Sequence, residues 1–391
     1  MTKPVVNLVC LLLCVFSLQV IGGELGPLTY EVDGNREVNI RKCNPNAEGE
    51  LEIPLLIEGR PVTHIEKRAF FYCTSLTSIT IPATIISIRD EAFYGCSSLE
   101  SFSIPDGVTS ISKLTFYGCT SLTSITIPDS VTGIDDGAFN NCSSLASVTL
   151  PNNVTSIGRG VFSNCTSLTS ITIPNSVSNI KDSAFHRCTS LTLITIPNSI
   201  TKINPFVFQG CWALKSINIP ESVTSIGDGA FWECSSLTSI TIPDSVTSIG
   251  GSTFKGCTSL TAIDIPDSVT SIGTDVFYNC SSLSEIAIPE AFHSQSSATR
   301  LGIYSLWPSA FRLPSGSHPD PDPEAPPAQI SLRMVPAITV TGEAAQTAVI
   351  EVSSSVNGPW TEWRTVVIGE EGTTEVDLDE GAEKRFYRVR N

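Results

Sequence analysis

Residues 219–241 read IPESVTSIGDGAFWECSSLTSIT and residues 242–264 read IPDSVTSIGGSTFKGCTSLTAID, so two consecutive stretches of 23 residues are nearly the same sequence. The spacing extends well beyond this pair. Cysteine recurs every 23 residues from Cys73 to Cys280, with Phe three residues before it and Leu three residues after it each time. A unit this short cannot bury its own apolar face and must stack on its neighbours. The period therefore predicts a repeat solenoid.

The apolar spacing within one unit predicts how each coil is wound. Leu237, Ile240 and Ile242 point inward from a segment whose end alternates with period two, which predicts a short strand closed by Pro243. Residues 246–249 offer a second, shorter extended piece. The A-F-x-x-C segment predicts a short helical turn that brings Phe and Cys inside. The predicted structural core ladder comprises Phe70, Cys73, Phe93, Cys96, Phe116, Cys119, Phe139, Cys142, Phe162, Cys165, Phe185, Cys188, Phe208, Cys211, Phe231, Cys234, Phe254, Cys257, Phe277 and Cys280.

The positions that recur in register from unit to unit give the pattern L-x-x-I-x-I-P-x-x-V-x-x-I-G-x-x-x-F-x-x-C. The pattern resembles the BspA-like leucine-rich repeats of secreted bacterial surface proteins, over roughly residues 50–290. This resemblance implies a right-handed leucine-rich-repeat arc with a parallel β-sheet on its concave side. It also implies protein binding and adhesion at a cell surface, without catalysis.

Residues between the inward-pointing positions of the strand are expected on the concave surface, because side chains alternate along a strand. Most of them are Ser or Thr, and their character changes only toward the C-terminal end. The hypothetical ligand-binding face comprises Ser78, Thr80, Ser124, Thr126, Ser170, Thr172, Asn218, Ser239, Thr241, Asp264 and Glu285. A passive scaffold is the alternative, since Ser and Thr also stack well in strands. Ice binding by the regular Ser/Thr array is a third interpretation.

The cysteines allow two interpretations. Cys43 and the ten repeat cysteines make eleven, and an odd number in a secreted chain invites disulfides with one thiol left over. Stacked equivalent positions lie about 4.8 Å apart with parallel side chains, whereas a disulfide needs converging side chains with Cβ atoms about 3.8 Å apart. Reduced, structural thiols are therefore favoured. The four histidines are scattered and no C-x-x-C occurs, so neither a metal nor a cofactor is expected.

The segments outside the repeats lack the period and have their own chemistry. In residues 1–23, Lys3 precedes an apolar run, which predicts a signal peptide. The other predicted regions are an N-terminal β-hairpin cap at 24–49, the solenoid of 23-residue units at 50–290, a C-terminal cap at 291–314, a Pro/Asp linker at 315–327 and a β-sandwich module at 328–391. The last region looks like the fibronectin-type or immunoglobulin-like modules that follow repeats in secreted bacterial proteins.

Composition limits the possible partners. The net charge is −16, with 39 acidic against 23 basic residues, so neither nucleic acid nor an anionic membrane surface is expected to bind. The repeats contain no catalytic constellation, and no enzymatic activity is expected. After signal cleavage we expect a secreted or cell-surface protein without membrane insertion. The predicted function is binding of an extracellular protein or polysaccharide, and the alternative is a passive spacer that displays the C-terminal module.

Overall fold

The computed structural model describes residues 21–293 and 300–303, together with six strands between residues 330 and 390. The chain divides into two compact units. The first comprises the residues up to Leu260 with Ser268–Ser281, and the second comprises Thr261–Asp267 with the residues from Ser282 onward. The predicted linker, residues 1–20 of the predicted signal peptide and most of the predicted C-terminal cap lie outside the described residues, and the region boundaries stay predictions.

The N-terminal strands form a sheet of mixed direction. β1 pairs antiparallel with β2 and β2 antiparallel with β3, after which β3 pairs parallel with β6. The Asp33 carboxylate accepts the N–H groups of Asn35 and Glu37 at 2.9 and 3.0 Å, which holds the turn between β2 and β3. The bounds are β1 Ile21–Leu25, β2 Leu28–Val32, β3 Val38–Cys43, β4 Glu48–Glu52, β5 Leu56–Ile57 and β6 Arg60–Ile65.

The 23-residue units wind into a β-solenoid of about eleven turns. Each full turn, called a coil below, presents one S-x-T strand in which a buried residue is flanked by two outward ones, as in the exposed–buried–exposed pattern of Ser124–Thr126. These strands pair in parallel with a shift of one repeat, so that Ser170 lies beside Ser147. Their bounds are β7 Ser75–Thr80, β9 Ser101–Ser103, β11 Ser124–Thr126, β13 Ser147–Thr149, β15 Ser170–Thr172, β17 Leu193–Thr195, β21 Ala262–Asp264 and β23 Glu285–Ala287.

A second, two-residue strand follows each S-x-T strand and its proline. Its Ile is buried, and it too pairs in parallel with its equivalents one repeat away. These strands lie in two runs, β10-β12-β14-β16 and β18-β19-β20-β22, while β8 pairs with β6. The bounds are β8 Ser87–Ile88, β10 Ser110–Ile111, β12 Gly133–Ile134, β14 Ser156–Ile157, β16 Asn179–Ile180, β18 Lys202–Ile203, β19 Ser225–Ile226, β20 Ser248–Ile249 and β22 Ser271–Ile272.

The prediction of short helical turns was wrong: residues 50–289 contain no helical residue. The backbone N–H groups around each Phe alternate between two kinds of acceptor. Phe116 donates to Ala138 O in the next coil at 2.8 Å, whereas Cys119 donates to Phe116 O within its own turn at 3.2 Å. Leu114 and Gly118 also have positive φ, 54° and 72°. A helix needs each N–H for the carbonyl four residues earlier and excludes left-handed residues, so these tandem turns replace it.

The core of the first unit is a continuous stack of phenylalanines. The ten rings from Phe70 to Phe277 are at most 2% exposed, and successive ring centroids lie between 5.0 and 5.8 Å apart. Spacing in this range is typical of favourable offset stacking. The cysteine, leucine and isoleucine rows are buried with it. Each coil thus supplies one layer to a core that no single repeat could close.

The second unit contains the parallel pair β21–β23, a 3-10 helix at Glu290–Phe292 and the C-terminal strands. The C-terminal strands form two three-stranded antiparallel sheets, in the orders β24-β25-β28 and β27-β26-β29. Their bounds are β24 Ile330–Leu332, β25 Ala337–Thr341, β26 Thr347–Ser353, β27 Thr361–Val367, β28 Thr373–Asp377 and β29 Phe386–Arg390. Packing of these sheets into a sandwich, and the likeness to fibronectin-type modules, stay predictions.

Candidate functional site

The candidate binding surface is the row of outward residues on the S-x-T strands, called the Ser/Thr face below. All but one of its predicted residues are exposed, while Ser78 at the N-terminal end is half-buried. Asn218 and Thr241 continue the row through an isolated parallel bridge. Asp264 and Glu285 lie in the second unit on β21 and β23, where both are exposed. In the first unit the predicted residues lie on the outward side of the S-x-T strands, and their role in ligand binding stays a prediction.

Most other hydroxyl rows of the coil have a structural role. In the row that follows the strand proline, Ser130 Oγ donates to Val108 O at 2.7 Å and Ser176 Oγ to Val154 O at 2.6 Å. The Ser and Thr residues that follow each cysteine make the same kind of bond, and Thr166 Oγ1, for example, donates to Ser143 O at 3.2 Å. These side chains link neighbouring coils, and each such bond contributes about 1 kcal/mol.

The hydroxyls of the Ser/Thr face differ from those rows. Within the part of the chain that the structure describes, no side-chain hydrogen bond involves Ser124, Thr126, Ser170 or Thr172. Their donors and acceptors face solvent, so a ligand could bind them without breaking a protein hydrogen bond. Leu193 is 63% exposed on the same row and replaces the usual Ser, which places one apolar side chain in the middle of the face.

The cysteine ladder occupies the interior and takes no part in this surface. Each Sγ from Cys96 to Cys280 lies 3.0–3.3 Å from the carbonyl oxygen of the Phe in the preceding coil. Cys73 has no such Phe before it and donates to Asn44 O at 3.7 Å. All eleven described repeat and cap cysteines are buried free thiols. Burial raises the pKa of Cys165 and of Cys211 to about 12, so these thiols stay protonated and unreactive near neutral pH.

Charged residues alternate in sign along one row of the turns, three residues before each Phe. From the N-terminal side the row reads Lys67, Asp90, Lys113, Asp136, Arg159 and Asp182. Asp136 also accepts the backbone N–H of Arg159 at 2.7 Å and lies 3.6 Å from Lys181 Nζ. Lys113 and Arg159 thus each have a carboxylate of the row on both adjacent coils, and no excess of one sign accumulates. We refer to these residues as the alternating charge row.

The described residues provide neither a metal-binding cluster nor a membrane-spanning helix. In the described residues, no group of three or more His, Cys, Asp or Glu side chains is placed to hold a metal ion. Over those residues there is also no helix with the length and apolar character needed to cross a bilayer.

Sequence reasoning missed the exposed aromatics of the turns, such as Trp212 and Tyr278, which are 51% and 54% exposed. For Trp212 the signal that could have found it was its departure from the Ser or Thr of the nine other repeats.

Parallel strands repeated every 23 residues around a Phe and Leu core define a leucine-rich-repeat solenoid. Residues 63–192 and 178–299 match the model of the BspA type leucine rich repeat region, which together is more than half of the chain. The chain belongs to the BspA-type leucine-rich-repeat family. The resemblance inferred from the repeat pattern is thereby confirmed for the repeats. No curated protein shows significant sequence similarity to the chain.

Several solved structures resemble the chain. A leucine rich cell surface protein from Faecalibacterium prausnitzii is 32% identical, with 73% of this chain and 93% of that chain covered and a TM-score of 0.47. A leucine-rich repeat protein from Bacteroides ovatus is 28% identical, with coverage of 69% and 89% and a TM-score of 0.43. The pneumococcal vaccine antigen PcpA is 18% identical, with coverage of 69% and 82% and a TM-score of 0.42.

Proposed function

We propose that this chain is a non-enzymatic binding protein of the cell exterior, and that its Ser/Thr face holds an extended extracellular protein or polysaccharide. One observation carries the proposal. Neighbouring hydroxyl rows donate to adjacent coils, as Ser176 does to Val154 O at 2.6 Å, while the hydroxyls of Ser170 and Thr172 in the same coil have no partner in the described structure. Unused hydrogen-bonding groups on a rigid sheet suit ligand recognition.

The uniformity of the face determines the kind of ligand it suits. Nearly identical Ser and Thr pairs recur on successive coils, so a single ligand unit would find many equivalent positions. A polymer with a repeating unit gains avidity from such an array, because each further contact forms within one complex. A location at the cell surface or in the medium agrees with the predicted signal peptide and with the family. The 32% identical F. prausnitzii chain is itself described as a cell surface protein.

The competing function is a passive spacer, which would need the same solubility but no ligand. The test uses the full-length secreted chain against immobilised extracellular-matrix proteins, bacterial surface polymers and plant polysaccharides. The variant Ser170→Arg/Thr172→Arg places two long cations on the face, and Asn175→Arg/Asn198→Arg places them on exposed turns beside it. We expect saturable binding that the first variant weakens at least about ten-fold and the second leaves unchanged. Equal binding by both, or no binding, supports the spacer.

A further inference from the structure

The turns around the Phe stack carry a second surface, called the turn face below, on which the repeats differ most. Residues two positions before each Phe form one edge, and residues one position after each Phe form the other. A trough of about 600 Å³ lies between these edges in the first unit. One edge consists of Leu114, Gly137, Gly160, Ser183 and Phe206, and the other of Asn140, Ser163, His186, Gln209 and Trp232.

The trough has a defined length because bulky residues close one of its edges at both ends. Leu114 and Phe206 adopt positive φ, 54° and 58°, where Gly137 and Gly160 occupy the equivalent positions in the intervening coils. The positive φ recurs at this position in every coil, as at Glu91 and Ser183, and belongs to the repeat backbone, so it is the size of Leu114 and Phe206 that marks the two ends. Four coil steps of about 4.8 Å give the trough a length of roughly 20 Å.

An aromatic cleft adjoins the trough through Trp232, which lines both. The cleft measures about 280 Å³, and Trp212, Trp232 and Tyr278 line it together with Lys255. The Lys255 ammonium lies 5.1 Å from the ring centroids of Trp232 and of Tyr278, which holds these side chains in place. Two large rings in this cleft are half exposed, at 51% for Trp212 and 54% for Tyr278.

Trp212 is the residue that the repeat pattern explains least. The equivalent position holds Ser or Thr in the nine other repeats, and Thr189 there donates to Thr166 O at 3.3 Å. Tryptophan gives up that link between coils and exposes apolar area to water, so folding alone does not account for it. Exposed aromatics of this kind are typical of binding surfaces.

The chemistry of the site selects a neutral ligand. Lys113 and Arg159, the cations beside the trough, belong to the alternating charge row and are flanked by carboxylates. Burial lowers the pKa of His186, so its imidazole is neutral at pH 7. The backbone N–H groups of the turns bond to neighbouring carbonyls, so few remain to pair with an added peptide strand. Side-chain amides, hydroxyls and ring faces remain available for recognition.

We propose that the trough and the aromatic cleft form one binding site for a neutral oligosaccharide. Asn140, Ser183 and Gln209 offer hydrogen bonds to sugar hydroxyls, and Trp212, Trp232 and Tyr278 offer faces for the apolar side of a sugar ring. This site is separate from the Ser/Thr face, and each can exist without the other.

The test is native gel electrophoresis of the full-length chain in gels that contain laminarin, dextran or galactomannan. Alginate represents acidic polysaccharides, and gelatin represents an extended protein. Two variants are expected to fold at least as well as the natural chain. Phe206→Gly relieves the positive φ, and Trp212→Thr restores the residue type of the other repeats. Tyr72→Gly is the matched control, because Tyr72 also has positive φ, 55°, and is 50% exposed outside the site.

We expect at least one neutral polysaccharide to retard the natural chain and the control, with affinity about ten-fold lower for Phe206→Gly and for Trp212→Thr. Thermal melts establish that the variants are folded. Equal retardation of all variants, retardation by none of the three neutral polysaccharides, or binding of alginate or gelatin alone would overturn the proposal. Ser170→Arg/Thr172→Arg should not alter this retardation, which separates the outcome from that of the Ser/Thr face.

Discussion

The hydroxyl rows and the turn face are built by the same repeats, yet one is nearly invariant and the other is not. Ser130 and Ser176 hold neighbouring coils together through their side chains, and most coils carry Ser or Thr at this position. On the turn face the backbone makes those links, as when Phe116 N–H donates to Ala138 O, and the side chains are free to vary. Between these two surfaces, repetition marks where side chains bond one coil to the next, and variation marks where they do not. The Ser/Thr face is the exception, because its repeated hydroxyls have no such bond in the described structure.

The largest effect is expected from the buried thiols at alkaline pH. The pKa of Cys165 is raised to about 12 in the folded state from an ordinary value of 9.0, so above pH 9 the unfolded chain releases a proton that the folded chain retains. The free energy of unfolding should therefore fall as pH rises from about 9 to about 12, by about 1.4 kcal/mol per pH unit for each such thiol. Urea unfolding across this range should show a steep loss of stability.

A single substitution tests that slope. Cys165→Ala removes one buried thiol, so its stability should depend less on pH by about 1.4 kcal/mol per unit. Lysines and tyrosines titrate equally in both proteins and cancel in the difference. Identical slopes for the variant and the natural chain would show that the ladder thiols are not protonated as a buried set.

The next prediction compares a phenylalanine of the buried stack with a phenylalanine of the turn face. Phe162→Ala removes a fully buried ring that stacks at 5.6 Å on each neighbour, and should cost about 3–5 kcal/mol in urea unfolding. Phe206→Gly, on the turn face, should cost nothing measurable because it relieves a positive φ. A similar decrease in the free energy of unfolding for both variants would mean that Phe206 on the turn face contributes to the core.

A smaller effect separates backbone strain from side-chain packing. Gly118 has a φ of 72°, and a Cβ there would come no closer than 3.8 Å to any neighbour, so Gly118→Ala should cost about 1–2 kcal/mol through conformation alone. Gly133→Ala is the control, since nothing lies within 4 Å and its φ is not positive. Differential scanning calorimetry should show a lower melting temperature for the first variant only.

The smallest effect compares two serines of one coil. Ser176→Ala removes the 2.6 Å bond to Val154 O and should cost about 1 kcal/mol. Ser170→Ala lies on the Ser/Thr face, where the hydroxyl has no partner in the described structure, and should change stability by less than about 0.5 kcal/mol. Equal costs in urea unfolding would remove the main argument for a ligand-binding face.

Periodicity predicted the features that every coil repeats. The Phe and Cys positions, the S-x-T strand and its outward pairs follow from spacing, because the same residue types meet the same environment each time. The helical turn was wrong because the bond from Phe116 to Ala138 joins residues that are distant in sequence, and local pattern does not reveal it. The two classes of hydroxyl row also look alike in sequence, since Ser170 and Ser176 differ only in what lies beside them.

The trough could not be predicted from any one repeat. Its walls come from different coils, and Phe206 and Trp232 occupy variable positions that a search for periodicity ignores. These residues line one trough only when the coils are stacked in the folded solenoid. Any site that is lined by variable residues from several repeats is equally hidden from an analysis of the repeat pattern.

The alternating charge row has a consequence for how this chain finds its own register during folding. Nearly identical repeats can stack in the wrong order, with one looped out or exchanged with another molecule. Skipping one repeat would bring Lys113 beside Arg159, or Asp136 beside Asp182, and replace attraction by repulsion along the row. Because the sign alternates over the six coils from Lys67 to Asp182, the correct neighbour within this part of the solenoid is distinguished from the next one along, although the cores of the two are interchangeable.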